Sequence, residues 1–237
     1  MKILLISDTE ERSLWDNWTD ATAKRLSDVG LVLSAGDLDP NYLEFLVTML
    51  NVPLVYVRGN HDGRYDEEAP EGCEDADGRV IEVVCGEKHS RQKIRILGLG
   101  GSMRYNDHLP DMYTEDEMRR RVRKAEADIR KHRLTAGALR SLKAFMHGGE
   151  DKDIAGSSRP FDILLTHAPA RGYGDMEDLP HMGFECFNDL LNKYSPQLHC
   201  YGHVHKEYGA CERQLQHPSG TLLINCSGHQ IIDYGMP

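Results

Sequence analysis

The chain predicts an α/β fold whose sheet is at least partly parallel, on two observations. Short apolar runs of strand length recur along it, and the spacing between the early runs leaves room for helices. Lys2 to Ser7 is a compact apolar run, read as a buried first strand, and Leu31 to Ser34 is a second. Asp39-Pro40 then opens a helix, with Asp39 as N-cap and Pro40 in the first turn. Leu43, Leu46, Val47 and Leu50 follow at helical spacing, and Asn51 and Pro53 end the helix. Leu54 to Val57 is a third buried strand.

The later chain is less regular. Residues 63–78 are polar and read as a surface loop, while Arg79 to Cys85 and Lys93 to Leu97 read as strands of a hairpin. Thr114-Glu115-Asp116-Glu117 is a capping box, and the helix it starts carries Met118, Val122, Ala125 and Ile129 on one stripe. A second helix is expected from about Ala136 to His147, ending at Gly148-Gly149. Ile163 to Thr166, Leu198 to Tyr201 and Leu222 to Asn225 are short late strands. The simplest organisation is one domain over residues 1–237 with a helical insertion at about 107–150.

Composition narrows the function classes. The 237 residues carry a net charge of −10, so a basic footprint for duplex nucleic acid is missing. No apolar run approaches the roughly 20 residues of a membrane helix, and the brief apolar start meets Asp8, Glu10 and Glu11 too soon for a secretory signal. The six cysteines form no C-x-x-C pair and read as reduced, buried thiols. A cytoplasmic protein is the expectation.

The chemistry lies in the residues just past each apolar run. Asp8 and Glu10 come after the first, Gly36-Asp37 after the second and Gly59-Asn60-His61-Asp62 after the third; His167 comes after Ile163 to Thr166, and Gly202-His203-Val204-His205 after Leu198 to Tyr201. Ligands of α/β sheets bind at the carboxyl ends of strands, so five loops scattered in sequence could converge on one site. Carboxylate, amide oxygen and imidazole together suit divalent ions such as Mn, Fe, Ni or Zn.

This ordered set resembles the calcineurin-like metallophosphoesterase family, whose pattern is D-x-H, G-D, G-N-H-D/E, H and G-H-x-H. The resemblance runs from residue 3 to about 206. It implies a four-layer α/β/β/α sandwich with two mixed sheets and two divalent ions at its rim. It also implies metal-dependent hydrolysis of a small mono- or diester by a hydroxide bridging the ions. On it Asp37 bridges both ions, Asp8 and His205 hold the first, and Asn60, His167 and His203 hold the second. His61 faces the leaving group as acid. The chain departs from the family where Glu10 replaces the His of the first motif. A ligating Glu10 is a harder, charged ligand and favours Mn over Fe, Zn or Ni. Residues 36–41 lack the longer G-D-x-x-D-R-G motif of the protein Ser/Thr phosphatases, which argues against that branch.

A nuclease and a non-catalytic scaffold on the same fold are the alternatives. The first lacks a basic track; the second would expect eroded ligands, of which Glu10 is the sole sign. Arg171, close after His167, is an expected substrate contact; Arg104, Asp175 and His181 are weaker ones. Gly98-Leu99-Gly100-Gly101 reads as a strand-to-loop turn and Arg119-Arg120-Arg121 as a solvated helix face. Trp15 and Trp18 read as core or rim packing.

Overall fold

The computed structural model of the protein describes residues 1–86, 91–147, 159–205 and 212–235, residues 132–147 by backbone alone. His89, Cys211 and the helix stop at Gly148-Gly149 lie outside the described residues.

Four helices and thirteen strands alternate along the described chain. The first half holds β1 (Lys2–Ser7), α1 (Asp20–Arg25), β2 (Val29–Ser34), α2 (Pro40–Leu50), β3 (Leu54–Tyr56), β4 (Glu74–Asp75), β5 (Val80–Cys85), β6 (Gln92–Leu99), β7 (Ser102–Met103) and β8 (Met112–Tyr113). Then come α3 (Glu115–His147), β9 (Ile163–Thr166), α4 (Glu185–Tyr194), β10 (Leu198–Tyr201), β11 (Gln214–Gln216), β12 (Leu222–Asn225) and β13 (Gly228–Asp233). One sheet has the order β13-β1-β2-β3-β4 and the other β11-β12-β10-β9-β6-β5. Both are mixed: β1, β2 and β3 run parallel, as do β6, β9, β10 and β12, while β13, β5 and β11 enter antiparallel.

Three apolar cores separate four layers. Ile3, Leu5, Leu33 and Val55 of one sheet meet Ile94, Ile163, Leu165 and Ile224 of the other. Phe187, Leu190 and Leu191 of α4, with Met118 and Val122 of α3, cover the outer face of the second sheet. Tyr42, Leu43 and Leu46 of α2 cover the outer face of the first. Central strands buried on both faces read as unbroken apolar runs, which is why β1, β2 and β9 stand out in the sequence. No described helix is long and apolar enough to cross a membrane.

The caps act as the sequence predicts. Asp39 accepts the Asn41 amide at 2.9 Å, and Thr114 and Glu117 exchange hydrogen bonds reciprocally. Three expectations are corrected. Residues 63–78 are not loop throughout, because Gly63–Asp66 forms a 3-10 turn and Glu74–Asp75 pairs in parallel with β3. The two helices expected after Thr114 are one continuous helix, α3. The Arg119-Arg120-Arg121 run is not uniformly solvated. Arg121, 19% exposed, pairs with Asp77, donates to the Gly100 carbonyl at 2.7 Å and lies over the Tyr113 ring. Trp15 and Trp18 pack on Tyr42 and Phe45, and the described cysteines are free thiols, mostly buried.

Candidate metal centre

The strand ends of both sheets meet at one rim. Of the six non-glycine residues with positive φ among the described residues, three are Asp8, Asp37 and His203, each just past a strand. A left-handed backbone there costs conformational energy, and such strain gathers at functional sites. Close approach demands glycine beside them. A Cβ on Gly59 would lie 2.0 Å from Asp37 Oδ1 and 2.7 Å from His167 Cε1. One on Gly202 would lie 1.9 Å from Ser7 Oγ.

Four atoms with lone pairs converge where these loops meet. His167 Nε2 lies 3.2 Å from Asn60 Oδ1, 3.1 Å from His203 Nδ1 and 3.3 Å from Asp37 Oδ2. The other nitrogen of each ring faces a carbonyl, which can only accept. His167 Nδ1 therefore donates to Ala35 O at 2.7 Å, and His203 Nε2 to Pro180 O at 2.7 Å. In the neutral form of each ring the inward nitrogen is an acceptor facing a carboxylate and an amide oxygen. Such a cluster calls for positive charge at its centre, a proton on His167 Nε2 or a bound cation in its place, and Asp37, His167 and His203 lie close enough together to hold a metal ion.

The electrostatics agree. Burial works against a charged His167, yet Asp37, by charge and hydrogen bond, and Asp8 raise it to about 9. The pull on that proton is a pull on positive charge at Nε2. Burial also opposes ionisation of Asp37, but His167 and the His61 amide hold its carboxyl well below the usual range. Burial lowers His203 to about 3, and His167 adds to the effect, so His203 is neutral with its lone pair available.

Beside this group, Asp8 Oδ1 accepts the main-chain N–H of His203 at 2.9 Å and lies 3.9 Å from His205 Nε2. Asp8 Oδ2 is buried with no hydrogen-bond partner among the described residues. An orphaned, buried carboxylate oxygen next to a second imidazole fits a further cation. The donor set therefore fits divalent ions of the type that oxygen and imidazole bind.

The other expected residues stand apart. Glu10 Oε1 accepts the Asp39 N–H at 2.9 Å, holding the turn that leads into α2. His61 is exposed, and its main-chain N–H donates to Asp37 Oδ1 at 2.8 Å. The Arg171 guanidinium binds Asp175 at 2.9 Å and the Met176 carbonyl, inside its own loop. Arg104 is paired with Glu117. His181 binds Asp178 at 2.6 Å, and its ring centroid lies 5.4 Å from that of His203.

Two residues went unassigned from sequence. Asp62 Oδ2 accepts the amides of Asp37 and Gly59; its signal is its place in the Gly-Asn-His-Asp run. The Tyr105 hydroxyl accepts from Asn60 Nδ2 at 3.3 Å, and nothing in the sequence marks it.

Comparison with known proteins gives a family and a fold. The model of the calcineurin-like phosphoesterase family matches residues 1–207. A Caenorhabditis elegans protein, UPF0046 protein T07D4.2, is 42% identical over 67 residues, which are 27% of this chain and only 16% of that protein. One crystal structure superposes with a TM-score of 0.56 at 13% identity, over 98% of this chain and 94% of its own. TT1561 of Thermus thermophilus gives 0.51 at 14% identity, over 96% of this chain and 89% of its own. GAP50, the anchor in the inner membrane complex of Plasmodium, gives 0.50 at 12%, over 96% and 71%. At these identities the likeness is one of fold.

Proposed function

The chain belongs to the calcineurin-like phosphoesterase family, and on that premise we propose that it hydrolyses a small phosphate ester at a centre of two divalent ions. The family implies metal-dependent phosphoester hydrolysis; the substrate size, the two-ion count and the residue roles are our reading. The observation that carries it is the convergence of Asp37, Asn60, His167 and His203 on one point, with the bare Asp8 Oδ2 beside it.

Asn60, His167 and His203 would hold one ion, Asp8, His205 and Glu10 would hold the other, and Asp37 would serve both. Bound ions of this kind supply Lewis acidity toward the phosphoryl oxygens and a water-derived nucleophile at neutral pH. The chain does the rest. The Ala35 and Pro180 carbonyls fix the orientation of the His167 and His203 rings, so both inward nitrogens already face the centre, that of His167 becoming a ligand once it releases its proton. The exposed His61 imidazole gives a proton to the departing alcohol, a contribution of roughly 10²–10⁴-fold. Its main-chain N–H meanwhile steadies Asp37. Glu10, whose Oε1 is held by the Asp39 N–H, would add a charged carboxylate to the donors of the ion at Asp8 and so favour Mn. Arg171 reaches substrate only by exchanging its bond to Asp175. The net charge of −10 supports a small ester over a nucleic-acid strand.

The test is metal analysis of the purified chain with a panel of mono- and diesters. The expected result is about two ions per chain and activity that chelation removes and Mn restores. Full activity in a metal-free preparation overturns the proposal.

A further inference from the structure

Asn60 is the one proposed ligand whose binding end is not set by its chemistry. A primary amide has nearly the same shape at its oxygen and nitrogen ends, and only the oxygen can ligate a cation. Asn60 is fully buried, and its Oδ1 faces His167 Nε2 at 3.2 Å. That side of the amide holds the lone pairs of Asp37 and His203 as well, which would attract the NH₂ end. Some contact on the outer side must help hold the amide plane.

The Tyr105 hydroxyl is that contact, accepting from Asn60 Nδ2 at 3.3 Å. We propose that Tyr105 is a positioning residue for metal binding, holding Asn60 by its Nδ2 so that Oδ1 stays turned to the site. With a cation on the oxygen end and Tyr105 on the nitrogen end, the amide would be held at both.

Tyr105 can do this because its own segment is fastened. The Arg104 N–H donates to Tyr113 O at 3.0 Å, and the Arg104 guanidinium bonds Met112 O at 3.2 Å and Glu117 at 2.9 Å. The segment also lies against the Asn60 loop on both sides of Tyr105. The Gly101 N–H donates to Arg58 O at 2.8 Å, and a Cβ on Gly63 would meet Pro110 Cγ at 3.1 Å. The capping box of α3 thus reaches the metal centre in three steps, from Glu117 through Arg104 to Tyr105 and Asn60.

The inference rests on the two-ion reading above, and one experiment separates them. Mn(II) is titrated into the full chain, wild type and Tyr105→Phe, by calorimetry or electron paramagnetic resonance, with thermal unfolding of both ion-free proteins. Tyr105 is 37% exposed, so losing only the hydroxyl should lower the ion-free melting temperature slightly, by no more than the one hydrogen bond to Asn60 Nδ2, and leave the protein folded. One of the two ions should bind about tenfold more weakly and the other as before. In an Asn60→Asp background both outer atoms are oxygens and either can face the ion. There the same Tyr105→Phe change should cost less than about threefold. If wild type binds no Mn, the two-ion reading fails and takes this inference with it. If wild type binds two ions and Tyr105→Phe binds both as tightly, the positioning role alone is overturned. Equal losses in the wild-type and Asn60→Asp backgrounds overturn it as well.

Discussion

Asp62 Oδ2 accepts the main-chain N–H of Asp37 at 2.8 Å, tying the turn after β2 to the turn after β3. The same oxygen takes the Gly59 amide at 2.7 Å. Asp62 is itself buried, and burial, then the charge of Asp37, push its carboxyl up to about 6. The protein keeps an uncomfortable carboxylate because it satisfies two inward-facing amides at once.

Asp62→Ala should therefore destabilise the fold by about 2–4 kcal/mol, since two buried amides lose their acceptor. It should weaken Mn binding as well, because Asp37 and Asn60 sit on the loops it joins. Asp62→Asn keeps one oxygen and should recover part of both losses. Urea unfolding and Mn titration read the two effects; wild-type values for Asp62→Ala would remove Asp62 from this role.

Glu10 can act through its charge or through its bond to Asp39. Glu10→Gln keeps an acceptor for the Asp39 amide but removes the charge. If Glu10 is a ligand, removing a negative charge favours the anionic nucleophile and the anionic ester. The rising limb of the pH–rate curve then moves to lower pH. Glu10→His should move it the same way and broaden metal use toward Zn or Ni. An unmoved limb and an unchanged metal ranking in both variants would confine Glu10 to bracing Asp39.

His61→Ala retains the main-chain N–H on Asp37 Oδ1, so metal content should stay intact while kcat falls. The fall should be larger for poor leaving groups than for nitrophenol, which departs without a proton. Equal losses on both esters would exclude His61 as the acid.

The three consecutive arginines should separate. Arg119 is a surface residue bonded to Glu115 and Asp189, and Arg119→Ala should cost no more than about 1 kcal/mol. Arg121→Ala leaves Asp77, 24% exposed, without its partner and the Gly100 carbonyl without its donor, at about 2–4 kcal/mol. Equal melting temperatures for the two variants would show the Arg121 network to be dispensable.

His199 links stability to pH. It is fully buried on β10; its Nε2 donates to Thr166 Oγ1 at 2.8 Å, and Nδ1 has no hydrogen-bond partner among the described residues. Burial, with His217 adding, lowers it to about 3. The unfolded chain, near 6.5, takes up the proton first as pH falls. The contribution is thus present above about 6.5 and is lost progressively toward 3. His199→Leu should flatten the fall in unfolding free energy between about pH 7 and 5 relative to wild type. Parallel curves for the two proteins would count against a buried neutral His199.

Some of the architecture is plain in the chain. Strands buried on both faces need unbroken apolar runs, so β1, β2, β3, β9, β10 and β12 are visible one by one. The Asp39 and Thr114 caps are local too, because a cap involves residues two or three apart. Less was visible where the signal is short or borrowed. β13 depends on the edge of β1 for its pairing, and β4 is two residues of an acidic stretch that pair only because β3 lies alongside. The amphipathic α4 has Phe187, Leu190 and Leu191 at helical spacing, but its N-cap is Phe184, which makes no side-chain cap.

The site divides the same way. The residue types at five strand ends, and their order, were set by the sequence, because glycine-flanked ligands after apolar runs are local facts. That His167 Nε2, Asn60 Oδ1, His203 Nδ1 and Asp37 Oδ2 share one point came only with the tertiary structure. So did the Asp62 tie, the Arg121 anchor and the grip of Tyr105 on Asn60. Each joins atoms on different elements or loops, whose separation is decided by how sheets and helices pack rather than by spacing along the chain.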